Sequence, residues 1–468
     1  MSKNNFYITT SIAYTNAAPH IGFALELIQA DVLARYHRSL GEKVWFLTGT
    51  DEHGIKIVKA ADKAGKDVVD FTNDISSKFE KLTKVLDISN DDFIRTTDQK
   101  RHWPTVEKIW EQLLTKGDIY KNKYKGLYCV GCEAFVKEKD LVNGNCPNHQ
   151  QKPEEIEEEN YFFKLSKYAD EIKELIEKDE IKIIPQNRKN EILSFIDQGV
   201  EDISCSRSKE NLKWGIPVPG DENQIVYIWF EALTNYLSAL VSSGKEDFWP
   251  ADIHCIGKDI FRFHVLLWPA ILLAIDKELP KNIFVHGYIT SNGEKMSKSL
   301  GNVIDPFELV KKYGVDPVRY FLLREFSSTE DGDFTFEKFE ERYNSDLAKG
   351  LGNLISRVFK LLETVKVENG SNLASNIEKT KENYEKALAD LKFNEALVVI
   401  WSLITDCDKY IEKVKPWEDI QNKKEEIASL VTAIKEIEVL LRPFLPETSE
   451  KILKQLKENK SEPLFPRI

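Results

Sequence analysis

Cysteines are few in this sequence and long apolar runs are missing, and each shortage excludes a class of protein. Six cysteines in 468 residues are too few for a disulfide framework. No apolar stretch approaches the ~18 to 20 residues of a membrane helix, and the first residues, MSKNNFYITT, contain no apolar signal core. We therefore expect a cytoplasmic protein with no membrane partner.

An excess of positive charge is also lacking. The formal net charge of -12 gives no overall indication of nucleic-acid binding, so an RNA partner would have to be held by local patches and shaped contacts. The hydrophobic fraction of 42% and the charged fraction of 30% are ordinary for a globular protein. A chain of 468 residues exceeds the size of a single core, and two to four domains are expected.

The first part of the chain alternates strands with a helix. Residues 6–12 and 43–50 have strand patterns, and residues 23–38 between them have helical periodicity. His20 precedes that helix, where backbone N–H groups and the helix dipole favour an anion, so it can donate to a phosphate. Asp51 follows the second strand, at the sheet edge where open α/β proteins bind ligands. A simple helix cap is an equally common role for such a carboxylate.

A metal-binding pattern follows. Cys129-x2-Cys132, thirteen residues and Cys146-x2-His149 provide four ligands in two tight pairs, as in a structural zinc site. Protein side chains fill all four positions, so the metal is expected to stabilise an insert and not to catalyse. The alternative is an accidental grouping of three thiols and a histidine. The acidic run after this site, PEEIEEEN, is expected to be a solvated loop.

The alternation of strands and helices resumes after the insert. Residues 225–229 have a buried-strand pattern that is expected to return the chain to the sheet, and residues 260–275 have helical periodicity. Further strands are expected at 253–257 and 282–286. This order predicts a doubly wound parallel sheet split by the metal-binding insert.

A loop at residues 285–302, VHGYITSNGEKMSKSLGN, carries two lysines, Lys295 and Lys298. Asn292-Gly293 is a strong hairpin-turn signal, so the lysines are expected on a mobile loop that can close over a polyphosphate. Alone, two such lysines would be ordinary surface charge. Together with His20 they indicate a nucleotide site.

Five segments, in this order and with the Cys-Cys-Cys-His pattern between them, resemble the class I aminoacyl-tRNA synthetases. They are AYTNAAPHIG, FLTGTDEHG, YIWFEALTNY, CIGKDIFRFH and VHGYITSNGEKMSKSLGN. The sequence is most similar to the methionyl-tRNA synthetase family of the single-zinc bacterial type, and the resemblance covers essentially the whole chain. It implies a Rossmann-type doubly wound parallel sheet split by a zinc-binding insert, then a stem-contact region and an all-α anticodon-binding bundle. The implied segments are 1–118 and 221–290 for the two catalytic halves, 119–220 for the insert, 291–343 for the KMSKS loop and stem-contact region, and 344–468 for the bundle.

The resemblance also implies the site residues. A methionine pocket would contain Ile12, Tyr14, Asp51, Trp229, Ala232, Leu233, Tyr236, Ile260, Phe263 and His264. An ATP site would contain Pro19, His20, Gly22, Gly257, Asp259, Lys295, Ser297 and Lys298, with His20, Lys295 and Lys298 as catalytic residues aided by Mg2+. In this family the methionine carboxylate attacks the α-phosphate of ATP, pyrophosphate leaves, and the 3' end of tRNA(Met) takes the methionyl group.

One position departs from the family pattern. The family motif ends in a second histidine, and this chain has Phe23 there. A phenyl ring cannot donate to a phosphate, so part of the stabilisation of the transition state is expected to be missing or supplied by another residue.

The C-terminal part is helical in pattern. Asn353 and Arg357 lie one turn apart, opposite an apolar stripe, and on residues alone they are an exposed polar pair. The resemblance implies that they read the anticodon together with Trp417, by hydrogen bonds to base edges and by stacking. The implied partners are L-methionine and tRNA(Met), including the initiator. No further dimerising domain follows before Ile468, so a monomer is expected.

Two alternatives stay open. One is another class I synthetase such as the cysteinyl enzyme, whose zinc needs an open position for the substrate thiolate. The other, raised by Phe23, is a catalytically weakened synthetase-like protein that binds tRNA. Methionine-dependent exchange of pyrophosphate into ATP separates both from the leading interpretation.

Overall fold

The computed structural model describes residues 5–131, 134–136, 138–147, 150–296, 301–466 and 468, with the backbone alone at 124, 134, 135 and 139. Across these ranges the strands are β1 (Asn5–Thr10), β2 (Ala13–Tyr14), β3 (Lys43–Asp51), β4 (Asp92–Arg95), β5 (Ile119–Cys129), β6 (Ala134–Val136), β7 (Glu154–Phe163), β8 (Lys182–Ile184), β9 (Ile203–Ser204), β10 (Ser206–Ser208), β11 (Pro217–Val218), β12 (Asp221–Val226), β13 (Ile253–Gly257), β14 (Asn282–His286), β15 (Ile289–Ser291), β16 (Glu294–Lys295) and β17 (Gly332–Phe334).

The α-helices of the same ranges are α1 (Ile21–Ser39), α2 (Ile55–Ala64), α3 (Val68–Val85), α4 (Trp103–Lys116), α5 (Ala169–Glu177), α6 (Gln186–Asp197), α7 (Ile228–Leu233), α8 (Asn235–Ser243), α9 (Trp268–Ala274), α10 (Pro306–Tyr313), α11 (Val315–Arg324), α12 (Phe336–Arg342), α13 (Asn353–Leu362), α14 (Ala374–Ala389), α15 (Phe393–Val414), α16 (Lys424–Leu441) and α17 (Pro446–Glu458). Two π-helical segments, Phe263–Leu267 and Tyr343–Gly352, directly precede α9 and α13. Within the described ranges, no helix is both long and apolar enough to cross a membrane.

The chain forms two compact units. The first contains Met1–Pro19, Gly41–Lys81 and Asn90–Val285, and the second contains His20–Leu40, Leu82–Ser89 and His286–Ile468. Each unit is therefore built from three separate segments of the chain. The division into five sequence segments made above stays a prediction.

The first unit contains the expected parallel sheet. Among the described residues its strand order is β2, β3, β1, β13, β14 and β8, and β4 also pairs with β3. β1 lies between β3 and β13 and pairs in parallel with both, with Ile8 opposite Phe46 and Ile253. Most residues of these central strands are buried, as in a parallel sheet covered on both faces. Because the strands are parallel, their carboxyl ends meet at one edge, where Asp51 closes β3.

Two expectations about the region around the insert are wrong. Residues 225–229 do not return the chain to the parallel sheet, because β12 pairs antiparallel with β10 and β11 and α7 begins at Ile228. The acidic run is not a solvated loop but the beginning of β7, which pairs antiparallel with β5. Lys123 and Lys125 of β5 lie opposite Glu159 and Glu157 of β7. The Lys125 ammonium also lies 2.7 Å from the Glu155 carboxylate.

The second unit is mainly helical, as expected for the C-terminal part. The predicted apolar stripe before and along α13 is buried; it consists of Leu351, Leu354, Ile355, Val358, Leu361 and Leu362. Arg319 of α11 is fully buried, and its guanidinium donates to Asp31 of α1 at 2.7 Å and to the carbonyls of Leu86, Pro443 and Phe444. This single side chain links all three chain segments of the unit.

Candidate functional site

Asp51 is held in place by the backbone of the segment after β1. Tyr14 of β2 pairs with Asp51 of β3, and the N–H and hydroxyl of Thr15 donate to the Asp51 carbonyl at 3.0 and 3.1 Å. The Asp51 side chain is buried at the carboxyl end of β3. Ile12 and Tyr14 are partly buried and pack against the same core. The structure therefore brings these three predicted pocket residues to one end of the sheet.

Two aromatic side chains from distant segments form a stacked pair. The rings of Trp229 in α7 and Phe263 in the π-helical segment have centroids 4.0 Å apart and an interplanar angle of 7°. Both residues are partly exposed, whereas Ala232 and Leu233 of the same helix are buried. A π-helical turn, which is frequent at functional sites, places Phe263 here. The pair offers the kind of aromatic surface against which a thioether packs well.

Tyr236 and His264 form a neutral hydrogen-bonded pair. The His264 Nδ1 lies 3.0 Å from the Ile260 carbonyl oxygen, which only accepts, so Nδ1 carries the proton. The His264 Nε2 then accepts from the Tyr236 hydroxyl at 2.7 Å. Burial lowers the pKa of His264 to about 4, so the ring is uncharged at neutral pH. A neutral polar pair among apolar groups suits an uncharged side chain such as that of methionine.

Three residues that the sequence pattern did not indicate pack against Tyr236. The Tyr7 hydroxyl donates to the Tyr236 carbonyl at 2.8 Å, and the His254 ring lies 4.2 Å from the Tyr236 ring. Trp268 donates from Nε1 to the His254 Nε2 at 3.3 Å. A histidine in the middle of the buried strand β13 was the signal that could have revealed this layer. Tyr7 thus holds the Tyr236 backbone, and His254 and Trp268 contact the Tyr236 ring.

His20 caps the helix that was expected to face a phosphate. The Gly22 N–H donates to the His20 Nδ1 at 3.0 Å, so a neutral His20 carries its proton on Nε2, which can donate to an anion. A Cβ at position 22 would lie 2.8 Å from the His20 ring, so this arrangement requires glycine. The Ile21 N–H donates to the Ile304 carbonyl at 3.1 Å, which ties the start of α1 to the chain after the lysine loop.

The lysine loop begins with the predicted hairpin. Asn292 and Gly293 connect β15 to β16 with φ angles of 54° and 77°, as a type I′ turn requires. The Asp333 Oδ1 accepts from the Thr290 hydroxyl and the Gly293 N–H, both at 2.7 Å. Lys295 is exposed, with its ammonium 5.8 Å from the centre of the Tyr288 ring. Ser297 and Lys298 lie outside the described residues.

The other residues of the expected ATP site occupy the ends of elements. Pro19 is buried shortly before α1, Gly257 ends β13, and Asp259 is exposed two residues later. Pro19, Gly257 and Asp259 belong to the first unit, and His20, Gly22 and Lys295 belong to the second. Their joint role stays a prediction.

Two of the four expected zinc ligands, Cys129 and Cys146, are among the described residues. Cys129 ends β5. Cys146 directly follows a turn closed by hydrogen bonds between Val142 and Asn145, and both thiols are buried. Cys132 and His149 lie outside the described residues. Among the residues that are described, no group of three or more His, Cys, Asp or Glu could hold a metal ion.

The three expected anticodon residues lie in the helical part of the second unit. Asn353 begins α13 and is exposed, and Trp417 has 45% of its surface exposed. The Arg357 guanidinium lies 5.4 Å from the centre of the Trp417 ring and donates to Glu412 at 2.7 Å. Arg357 and Trp417 thus form one polar and aromatic surface.

Two family models match the chain. The model described as tRNA synthetases class I (M) matches residues 6–155 and 148–359, and the one described as anticodon-binding domain of tRNA ligase matches residues 371–466. The parallel α/β sheet and the helical C-terminal part agree with these matches, so the predicted fold class is confirmed.

Full-length similarity points to the same family. Proteins named methionine--tRNA ligase are 41% identical in Thermotoga maritima (96% of this chain, 75% of the relative), 43% in Clostridium perfringens (97% and 74%) and 41% in Brucella suis (97% and 92%). A solved structure of Mycobacterium tuberculosis methionyl-tRNA synthetase in complex with methionyl-adenylate superposes with a TM-score of 0.92 at 36% identity, over 99% of this chain and 100% of the other. Its apo form gives a TM-score of 0.84 at 33% identity over 99% and 98%. On this evidence the chain belongs to the class I methionyl-tRNA synthetase family.

Proposed function

We propose that this chain activates L-methionine with ATP to methionyl-adenylate and pyrophosphate, and then transfers methionine to the 3' end of tRNA(Met). The observation that carries the proposal is the Trp229–Phe263 stack beside the neutral Tyr236–His264 pair. The stack and the uncharged pair suit a thioether side chain. The Asp51 carboxylate is the group that would bind the α-ammonium by a charge-assisted hydrogen bond.

Catalysis in this proposal rests on position and positive charge. Both partners of the first step, the methionine carboxylate and the α-phosphate, are anions, so the enzyme must hold them together and neutralise developing charge. His20 would be the donor at the start of α1, and Lys295 at the end of β16 would supply an ammonium group, as would Lys298 three positions later in the sequence. Gly22 would give the nucleotide close access and Asp259 would bind its ribose, while Mg2+ would supply further positive charge to the phosphates.

We further propose that Cys129, Cys132, Cys146 and His149 bind one structural zinc ion. Three thiolates and an imidazole are a ligand set that zinc prefers, and two of the thiols are already buried at the ends of a strand and a turn. Bound zinc would fix the turn around Cys146 and leave no open position for a substrate.

Asn353, Arg357 and Trp417 are proposed to read the anticodon of tRNA(Met), initiator tRNA included. An exposed indole and a guanidinium held beside it can stack on and hydrogen-bond to unpaired bases. A cytoplasmic, monomeric enzyme is the form proposed.

Exchange of labelled pyrophosphate into ATP tests the first step. The purified chain is expected to catalyse exchange with methionine and not with cysteine. Asp51→Asn keeps the size of the side chain but removes its charge, so it is expected to raise the KM for methionine by about tenfold or more. Exchange that depends on cysteine would identify a different synthetase, and no exchange with either amino acid would identify a tRNA-binding protein without activation.

A further inference from the structure

A buried carboxylate lies on the helix that carries part of the methionine pocket. Glu231 of α7 accepts from the His53 Nδ1 at 2.8 Å through one oxygen and from the His102 Nε2 at 3.1 Å through the other. The side chains of Glu231, His53 and His102 are 1%, 3% and 0% exposed. Such a group is outside the set of predicted pocket residues.

The three side chains join three separate elements. His53 follows Asp51 by two residues in the loop between β3 and α2, and His102 lies immediately before α4. Glu231 lies between Trp229 and Ala232 in α7. The His102 Nδ1 is also 2.8 Å from the Ser238 hydroxyl in α8. The group therefore connects the loop that bears Asp51 to the helix that bears Trp229, Ala232 and Leu233.

Glu52, which precedes His53 in the same loop, is anchored to a different element. Glu52 accepts from Arg95 of β4 through both carboxylate oxygens, at 2.7 and 2.8 Å, and its carbonyl accepts from the Trp214 Nε1 at 2.5 Å. His53 also contacts the ring of Trp214, with centroids 5.3 Å apart. Glu52 thus fixes the loop to the sheet, and His53 bonds the same loop to α7.

A carboxylate has no proton to donate, so each histidine must present an N–H to it. Burial by itself raises the pKa of Glu231, but His53 and His102 lower it more, so the net pKa is below the ordinary value. A buried carboxylate of this kind is costly unless it is paired. Here the carboxylate bonds to both histidines, which an apolar residue at this position of α7 could not do.

We propose that Glu231, held by His53 and His102, is a positioning residue that sets the distance between Asp51 and the α7 wall of the methionine pocket. The inference rests on the methionine pocket proposed above. If the loop that bears Asp51 moves away from α7, a bound methionine cannot place its ammonium on Asp51 and its side chain on Trp229 at the same time. Affinity for methionine should fall, and affinity for ATP should not.

Pyrophosphate exchange with methionine and ATP varied separately tests the proposal. Glu231→Leu and His53→Leu are expected to raise the KM for methionine by about tenfold or more, with the KM for ATP within about twofold of wild type. His53→Asn is the matched control, because its amide N–H lies close to the position of the histidine Nδ1–H. It is expected to keep the KM for methionine within about threefold of wild type.

A control must separate a general loss of protein stability from the displacement of Asp51 relative to α7. Asp118→Asn removes another buried carboxylate, which Lys167 binds at 2.6 Å, and is expected to lower Tm without changing either KM. If Glu231→Leu fails to fold, the pair His53→Leu and His53→Asn decides. An unchanged KM for methionine in His53→Leu, or a parallel rise in both KM values, would overturn the proposal.

Trp229→Ala, measured in the same assay, keeps the two proposals apart. If Trp229→Ala raises the KM for methionine and the His53 and Glu231 variants do not, the positioning role fails and the pocket stands. If Trp229→Ala leaves that KM unchanged, the pocket itself is wrongly assigned and the positioning role fails with it.

Discussion

Asp316 in the first turn of α11 is buried, and its Oδ2 accepts from the Thr448 N–H at 2.6 Å. Burial raises the pKa of this carboxyl from 3.8 to about 6, although Thr448 and Arg319 act in the opposite direction. A raised pKa means that the folded state binds the proton more tightly than the unfolded state does. The contribution of the Asp316 proton to the stability of the folded state is therefore complete below about pH 4, and it is lost as the pH rises through about 6.

Asp316→Asn should remove this dependence on pH. The asparagine carbonyl can still accept from the Thr448 N–H, but the side chain cannot ionise. We expect the Tm of the variant minus that of the wild type to increase between pH 4.5 and 7.5, by the equivalent of roughly 2 kcal/mol in unfolding free energy. Thermal unfolding followed by circular dichroism at several pH values measures it. A difference that stays constant across this range would contradict the assignment.

Phe23 is the residue that sets this chain apart from its family motif. It lies in the first turn of α1, where its N–H donates to the His20 carbonyl at 3.0 Å. Phe23→His would add a donor beside His20, and one such donor is worth about 2.7 to 4 kcal/mol in other enzymes. We expect the variant to raise or preserve the rate of pyrophosphate exchange.

Phe23→Leu is the matched control for that substitution, since leucine is apolar and does not donate. Its exchange rate is expected to stay close to that of the wild type. A lower rate in Phe23→His than in Phe23→Leu would mean that the site has rearranged around the phenyl ring and that other groups already supply the missing stabilisation.

At the residue scale, the sequence indicated polar, ionisable side chains that lie next to the end of a predicted strand or helix. Asp51 after a strand and His20 before a helix are of this kind, and both lie at such ends in the structure. The sequence could not reveal groups whose meaning depends on a distant partner. His53 and Glu231 are 178 positions apart, and neither has a local pattern that points to the other.

Local pattern also decided which elements were predicted correctly. β1 and β3 are apolar runs of ordinary strand length, so their type was clear. β7 begins with Glu154 and Glu155, and only pairing with the lysines of β5 makes a strand of it. The π-helical turn at Phe263–Leu267 has the same apolar periodicity as an α-helix, so a continuous helix was predicted there.

The β15–β16 hairpin depends on a carboxylate from β17. The Asp333 carboxylate accepts from the Thr290 hydroxyl and from the Gly293 N–H, and the Gly293 hydrogen bond lowers the pKa of Asp333 below its ordinary value. Asp333→Ala should loosen the hairpin that presents Lys295. We expect a higher KM for ATP and a slower exchange reaction, with the KM for methionine unchanged, and faster tryptic cleavage after Lys295.

Glu337→Ala provides the comparison for Asp333→Ala. Glu337 is an exposed carboxylate in α12, four residues further along the chain. Its removal changes the local charge by the same amount and leaves the hairpin bonds in place. If both variants alter the KM for ATP equally, charge and not the hairpin geometry is responsible.

At the scale of the whole molecule, the order of elements in the sequence did not predict the two compact units. The second unit contains α1 and residues 82–89 together with the C-terminal region, and Arg319 bonds to all three segments. Nothing in the sequence near Arg319 indicates that it is buried, since arginine is usually exposed. Sequence alone gave the type of fold, while side chains that bond across long chain separations determine which segments share a core.

The same unit allows activation and tRNA charging to be separated by one substitution. Trp417 is 45% exposed, with the Arg357 guanidinium 5.4 Å from the centre of its ring. Its removal therefore costs little packing, but it deletes a surface on which an unpaired base could stack, worth about 1 to 3 kcal/mol per base. Trp417→Ala is therefore expected to lower kcat/KM for tRNA(Met) in the charging reaction by about 5- to 150-fold and to leave methionine-dependent pyrophosphate exchange intact.

Val398→Ala serves as the control, because Val398 in α15 of the same unit is also 45% exposed and apolar. Its charging and exchange rates should both match the wild type, since a small aliphatic side chain cannot stack on a base. Exchange and charging are measured on the same enzyme preparation, so a partly unfolded sample would lose both activities together. Equal losses of charging and exchange in Trp417→Ala would show that the tryptophan supports the fold, and its role in reading the anticodon would then be abandoned.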